Sequence, residues 1–128
     1  MINGAHFLFY SRQPEADRAF LRDILGFRSV DAGGGWLVFA LPPAELAVHP
    51  AEQAFQHPHA DQNLAGAVLY LMCDDLDAEI RKLEAKRVAT SKVDRQEWGS
   101  FTTFPLPSGG RIGLYQPTHP TALTTPAK

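Results

Sequence analysis

The side chains that could do chemistry in this 128-residue chain are few: five histidines, one cysteine and a scatter of carboxylates. His6 lies in AHFLFY (residues 5–10), and Glu45 and His49 lie in ELAVH (45–49). Imidazole and carboxylate are the donor types that divalent first-row cations favour. In an extended segment Glu45, Ala47 and His49 share one face, and apolar Leu46 and Val48 share the other. His6 is either a hydrogen-bonded core histidine or a cleft residue. His57 and His59 flank Pro58 at a spacing that could suit a metal, but in a Pro-rich stretch such histidines are more often simply exposed. Cys73 ends the apolar run AVLYLMC with no His or basic neighbour in sequence, which suits an inert buried thiol better than a nucleophile. Asp74 and Asp75 form a carboxylate pair that helix capping explains with less assumption. The triple glycine at 33–35 lacks the strand–loop–helix setting of a phosphate loop and reads as a hairpin turn.

These residues need elements to hold them. AHFLFY reads as a buried strand. PEADRAFLRDIL (14–25) reads as a helix, with Pro14 in its first turn, Glu15 and Asp17 at its positive end, apolar residues at helical spacing and Gly26 as its stop. FRSVDA (27–32), WLVFAL (36–41) and ELAVH follow as strands. Residues 50–66 lose the pattern and read as a linker or a loop over a cleft. The pattern then restarts: AVLYLMC (67–73) as strand, DDLDAEIRKLEAKR (74–87) as helix with the stripe Leu76, Ile80, Leu83 and Val88, a poor strand within 88–97, then SFTTFPL (100–106) and RIGLYQ (111–116) as strands around the turn PSGG. The tail from Thr118 has no period and should be frayed or lie on the surface.

The phrase FALPPAELAVHP (39–50) recurs as FPLPSGGRIGLYQP (104–117). Each opens with Phe-x-Leu-Pro, crosses a turn and stops at a proline. Ser11 and Cys73 end the two first strands at a similar separation. The chain therefore reads as two β-α-β-β-β modules, about 4–50 and 66–117, with linker 51–65 and tail 118–128, in one domain of residues 1–128. The expected fold class is α+β, a curved eight-stranded sheet enclosing a cleft, with helices on the outer face. Neither module could cover its own sheet, so the two must pack together.

Composition excludes several classes of function. A net charge of −2 with acids and bases interspersed gives no basic stripe for nucleic acid. No apolar run is long enough to span a bilayer, and MINGAHF lacks the shape of a signal peptide. One cysteine cannot form an internal disulfide, which suits a reducing compartment, and a cytoplasmic location is expected.

Alternation along the strands sets out a further group. His6 shares a face with Leu8 and Tyr10, Trp36 with Val38, Tyr70 with Met72, and Tyr115 with Gly113, while Trp98 guards the loop before SFTTF. An aromatic lining with a few polar tips suits a small-molecule cleft, and core or dimer interface is the competing explanation for any one ring. The candidate ligand-binding set is His6, Trp36, Glu45, His49, Tyr70, Trp98 and Tyr115.

The stretches HFLFYSRQPEADRAFLRDILGF, CDDLDAEIRKLEAKRV and WGSFTTFPLPSGGRIGLYQP resemble the vicinal oxygen chelate superfamily, which includes glyoxalase I, bleomycin-resistance proteins and extradiol dioxygenases. The likeness runs from about residue 4 to 117. It implies the paired-module fold and, in enzymes of this type, one divalent metal held by side chains of the first and last strands of each module. His6 falls on the first such position. The second falls on Val68, or Ala67 with a slip of one. The last-strand position is Glu45 or Leu46 in module one, with strand parity favouring Glu45, and Gly113 in module two. At most two donors remain where a catalytic metal usually keeps three. The resemblance thus implies a protein without a bound metal or other cofactor that holds an apolar or aromatic compound, and the weak open edges of such sheets point to a homodimer. The rival reading is a lyase, isomerase or dioxygenase using His6 with Glu45 or His49. A structural or interaction module with a filled cleft is a third.

Overall fold

The computed structural model describes residues 1, 3–53 and 55–123. It is α+β, as expected, and the described residues form two helices and eight strands: α1 Pro14–Asp23, β1 Ser29–Asp31, β2 Leu37–Phe39, β3 Gln56–His59, β4 Gln62–Ala65, β5 Tyr70–Met72, α2 Leu76–Ala85, β6 Asp94–Gln96, β7 Gly99–Pro105 and β8 Arg111–Pro117. The strands pair as β1-β2, as β3-β4 and as a four-stranded sheet in the order β5-β8-β7-β6. The chain forms two compact units, one of Met1–Ala40 with Pro105–Arg111, the other of Leu41–Phe104 with the chain from Ile112 onward.

In the first unit α1 begins at Pro14, carries Glu15 and Asp17 in its first turn and Arg22 in its last, and thereby complements its own dipole. Gly26, at φ 73°, turns the chain so that the Phe27 amide meets the Leu21 carbonyl at 3.0 Å. The β1-β2 hairpin closes through Gly33, Gly34 and Gly35, all at positive φ, and the Asp31 carboxylate accepts from the Gly33 amide at 2.7 Å. Asp17 does more than serve the helix dipole. It is only 7% exposed, and its carboxylate accepts from the Ser108 amide at 3.0 Å and the Ser108 hydroxyl at 2.6 Å. A buried carboxylate is costly unless so satisfied, and here it fixes the turn between β7 and β8.

The second unit builds the sheet. The Asp75 side chain caps α2 by accepting from the Ala78 amide at 3.1 Å. At the other end Arg87 takes φ 62°, and the Val88 and Arg87 amides bond the Leu83 and Glu84 carbonyls, both at 2.9 Å. That paired closure, with its left-handed residue, brings Val88 onto the apolar stripe. Leu76, Leu83 and Val88 are buried, as are Phe104, Ile112 and Leu114 from the sheet. Alternation then assigns the faces. Thr102 and Phe104 of β7, and Ile112 and Leu114 of β8, point to the core, so Phe101, Gly113 and Tyr115 lie on the opposite face.

Three local expectations are corrected. Residues 5–10 and 45–49 are not in strands, and Phe7, Leu8, Phe9 and Tyr10 are about half exposed. Their composition suits strands, but a strand exists only against a partner edge, and these segments pair with none among the described residues. Residues 51–65, read as a linker, contain the β3-β4 hairpin. Its two-residue turn is Ala60-Asp61, at φ 52° and 63°. Two positive φ values are what a tight hairpin turn demands. The sequence hid this because neither residue is glycine or asparagine, and because Pro58 sits within β3, which as the edge of a two-stranded ribbon tolerates it.

Asp17→Ala should lower stability by about 2 kcal/mol, the usual loss when a charged acceptor of buried hydrogen bonds is removed. Urea unfolding checks this. A loss equal to that of the exposed-site control Glu15→Ala would show that the Ser108 contacts contribute nothing.

Candidate functional site

Two glycines make room for two tyrosine rings. Tyr70 of β5 pairs with Gly113 of β8 in parallel register. A Cβ at Gly113 would run into the Tyr70 ring, reaching Cε1 at 2.5 Å, so the ring lies on bare backbone. Gly99, at φ 152°, does the same for Tyr115: a Cβ there would sit 2.5 Å from the Tyr115 Cε1 and 2.6 Å from the Gln116 carbonyl. Both glycines are required by close approach, and Gly99 also by its backbone angle.

On these seats an aromatic floor is assembled. Tyr70 meets Phe101 edge-on at 5.7 Å and Tyr115 at 5.7 Å with a 56° tilt. Trp98 stacks on Phe101 at 5.6 Å and 17°, and stands 5.7 Å from Tyr115. These are the offset and edge geometries that ring quadrupoles prefer. The Tyr115 hydroxyl donates to the Trp98 carbonyl at 3.0 Å. Burial, then the Glu45 charge and Tyr70, push that hydroxyl's pKa up, so it stays protonated as a donor. Trp98 remains 48% exposed and Tyr70 40%, which leaves ring surface open to a ligand. Behind the floor, the Cys73 amide bonds the Tyr115 carbonyl at 2.9 Å, and the Gln116 side chain accepts from the Leu76 amide at 2.8 Å. The Cys73 thiol is pushed up to about 11, chiefly by burial and then by Glu79, which keeps it a neutral, unreactive thiol at ordinary pH.

The predicted residues divide. Tyr70, Trp98 and Tyr115 come together, and Glu45 belongs to the same unit, its carboxylate accepting from the Ala122 amide at 2.8 Å. His49 is exposed, and its Nδ1–H donates to the Pro50 carbonyl at 2.7 Å. His6 and Trp36 belong to the first unit. There His6 is exposed, and the Arg18 guanidinium lies over the Trp36 ring at 5.2 Å, a cation–π contact. Phe101 and His119 were missed. Phe101 could have been found from alternation in SFTTF once Phe104 is taken as core. His119 carries no periodic signal, and its ring lies 5.8 Å from Tyr115.

Two of the four positions of the implied metal centre offer no donor. Val68 is an exposed hydrocarbon and Gly113 has no side chain, its place being taken by the Tyr70 ring. Among the described residues no three His, Cys, Asp or Glu side chains gather as a metal-holding group.

The family model for the glyoxalase/bleomycin resistance protein/dioxygenase superfamily matches residues 5–117. The chain belongs to that superfamily. Among solved structures of similar fold, the superfamily chain resembles a lactoylglutathione lyase from Agrobacterium tumefaciens, at 17% identity and a TM-score of 0.61 over 89% of this chain and 92% of that one. It is also similar to TnmS3, an antibiotic binding protein from Streptomyces sp. CB03234, at 27% identity and a TM-score of 0.56 over 92% of this chain and 99% of that one. A superfamily member from Sphaerobacter thermophilus is 23% identical, with a TM-score of 0.57 over 90% and 98%. No curated protein matches the sequence.

Gly113→Ala should displace the Tyr70 ring and cost about 1–3 kcal/mol, the range for overpacking. In a Tyr70→Ala background the same change should cost much less, since contacting residues couple. A double-mutant cycle by denaturant unfolding measures this, and additive effects would show that the ring does not rest on Gly113.

Proposed function

We propose that this chain is a small-molecule binding protein of the glyoxalase/bleomycin-resistance type, working without a complete metal site and holding a flat aromatic compound on the floor formed by Tyr70, Trp98, Phe101 and Tyr115. One observation carries the reading: a position where the family's enzymes place a metal-binding carboxylate is Gly113, and an aromatic ring rests on it. A donor has given way to a stacking surface. TnmS3, at 27% identity, is an antibiotic binding protein, which supports small-molecule binding by this chain. His6 and Trp36 in the first unit and His49 in the second remain candidate ligand contacts, and a single domain of modules about 4–50 and 66–117 is part of the proposal. The setting proposed is the cytoplasm, consistent with a single free cysteine. No helix among the described residues is long and apolar enough to cross a membrane.

A homodimer is part of the proposal. Phe7, Leu8, Phe9 and Tyr10 are each 45–57% exposed, and Leu46 and Val48 are 88% and 92% exposed. Exposed apolar side chains of this kind are what a second copy, related by two-fold symmetry, would cover.

The ligand test uses a Trp36→Phe protein, in which Trp98 is the sole tryptophan, titrated with 9-aminoacridine and anthracene-9-carboxylate by fluorescence. Binding should quench Trp98, and Trp98→Ala, followed by calorimetry, should weaken it about tenfold, equivalent to about 1.4 kcal/mol. The rival enzymatic reading predicts close to one equivalent of Mn, Fe, Ni, Co or Zn after gentle purification, lost in His6→Ala. Finding that would overturn the metal-free proposal.

Sedimentation from low to high micromolar concentration tests assembly. The expected species is a dimer that Phe7→Asp with Phe9→Asp converts to monomer. A wild-type monomer throughout that range would refute it.

A further inference from the structure

The segment after β8 was expected to be frayed or to lie on the surface; its described part is mostly exposed and is tied down beside the aromatic floor. The Thr118 amide donates to the Trp98 carbonyl at 3.0 Å, and the Thr118 hydroxyl to the Glu97 carbonyl at 2.5 Å. The half-buried His119 ring lies against Tyr115 at 5.8 Å and a 34° tilt, oriented by its own Nδ1–H bond to the Pro120 carbonyl at 2.7 Å. Three residues on, the Ala122 amide donates to Glu45 at 2.8 Å. One short strap thus places a flat ring on the floor and a hydrogen-bond donor on the carboxylate beside it. These are the two things a ligand of this surface would offer.

We infer that residues 118–122 are an internal occupant of the aromatic site, with the His119 ring standing in for the ligand's flat ring and the Ala122 N–H for its donor, so that Glu45 selects flat aromatic compounds bearing an ammonium or N–H group, which bind by displacing the strap. This rests on the aromatic floor being the binding site, as proposed above. The strap's bonds to Glu45 and Glu97 are exposed to solvent and compete with water, so it can be displaced. A closed strap lowers apparent affinity by the fraction of molecules in which it is open. The Glu45 charge also helps to hold the Tyr115 hydroxyl protonated. A bound cation there would gain from both the carboxylate and the ring faces.

The test uses full-length protein and two flat fluorescent probes that differ in charge and donors, 9-aminoacridine and anthracene-9-carboxylate. Wild type should prefer 9-aminoacridine. Glu45→Gln, which can still accept the Ala122 amide, should lose that preference about tenfold. His119→Ala should bind both probes about fivefold more tightly, because the strap's ring no longer competes. Three results overturn the inference while leaving the site intact: probes that bind wild type and His119→Ala alike, a probe preference unchanged in Glu45→Gln, or weaker binding in His119→Ala, which would make the strap a wall of the site. If neither probe binds wild type or His119→Ala and Trp98 emission does not change, the aromatic site itself fails and the strap with it.

Discussion

The absence of two Cβ atoms governs the aromatic face of this protein. At Gly113 and Gly99 the β8 and β7 backbones are bare, and Tyr70 and Tyr115 lie down on them. Any larger residue would lift the rings off the sheet and break the edge and tilted contacts that link Tyr70, Tyr115, Phe101 and Trp98. The opposite face fixes this arrangement from below. Ile112, Leu114 and Phe104 are buried, so the strand alternation that sends them inward must send Gly113, Tyr115 and Phe101 outward. A one-residue slip in the register of β8 would exchange the core for the floor.

The sequence announces what local backbone chemistry decides. Asp75 as a cap, Gly26 as a stop, three glycines as a hairpin and the Pro107–Gly110 turn each rest on a few neighbouring residues, and each is found. Non-local features are harder to read. AHFLFY and ELAVH have strand composition, but pairing depends on an edge supplied from elsewhere, and composition cannot state whether that edge is present. The β3-β4 hairpin fails for the opposite reason. Its turn uses alanine and aspartate at left-handed angles, without the Asn-Gly signature that would reveal it. The site shows the same division. Tyr70 and Tyr115 follow from alternation, and Trp98 from its place in the loop before SFTTF. The contact of Tyr115 with His119 does not, because a tail without period gives no hint of where it is anchored.

The two related phrases of the chain now read differently. In the second, FPLPSGGRIGLYQP, both strands form, the turn is locked by Asp17 through Ser108, and alternate residues serve core and floor. In the first, FALPPAELAVHP, the strand ends at Phe39 and the rest adopts no regular structure, yet it delivers Glu45 to the second unit. The second copy is the ordered one, and the first contributes the Glu45 carboxylate that holds the Ala122 amide.

That single group matters because an aromatic floor is a poor discriminator. Stacking and burial reward any flat apolar molecule, and their net effect is reduced by the cost of association. Selectivity must come from polar atoms. The Tyr115 hydroxyl is held protonated and already donates to the Trp98 carbonyl, so it offers a ligand little beyond its ring. Glu45 is an acceptor whose present partner is a neutral backbone amide. Exchanging that amide for a charged donor strengthens the hydrogen bond, whereas bringing an anion to the same place opposes it. In the proposed binding mode the floor would therefore set the shape of what binds, and the carboxylate beside it the sign of its charge.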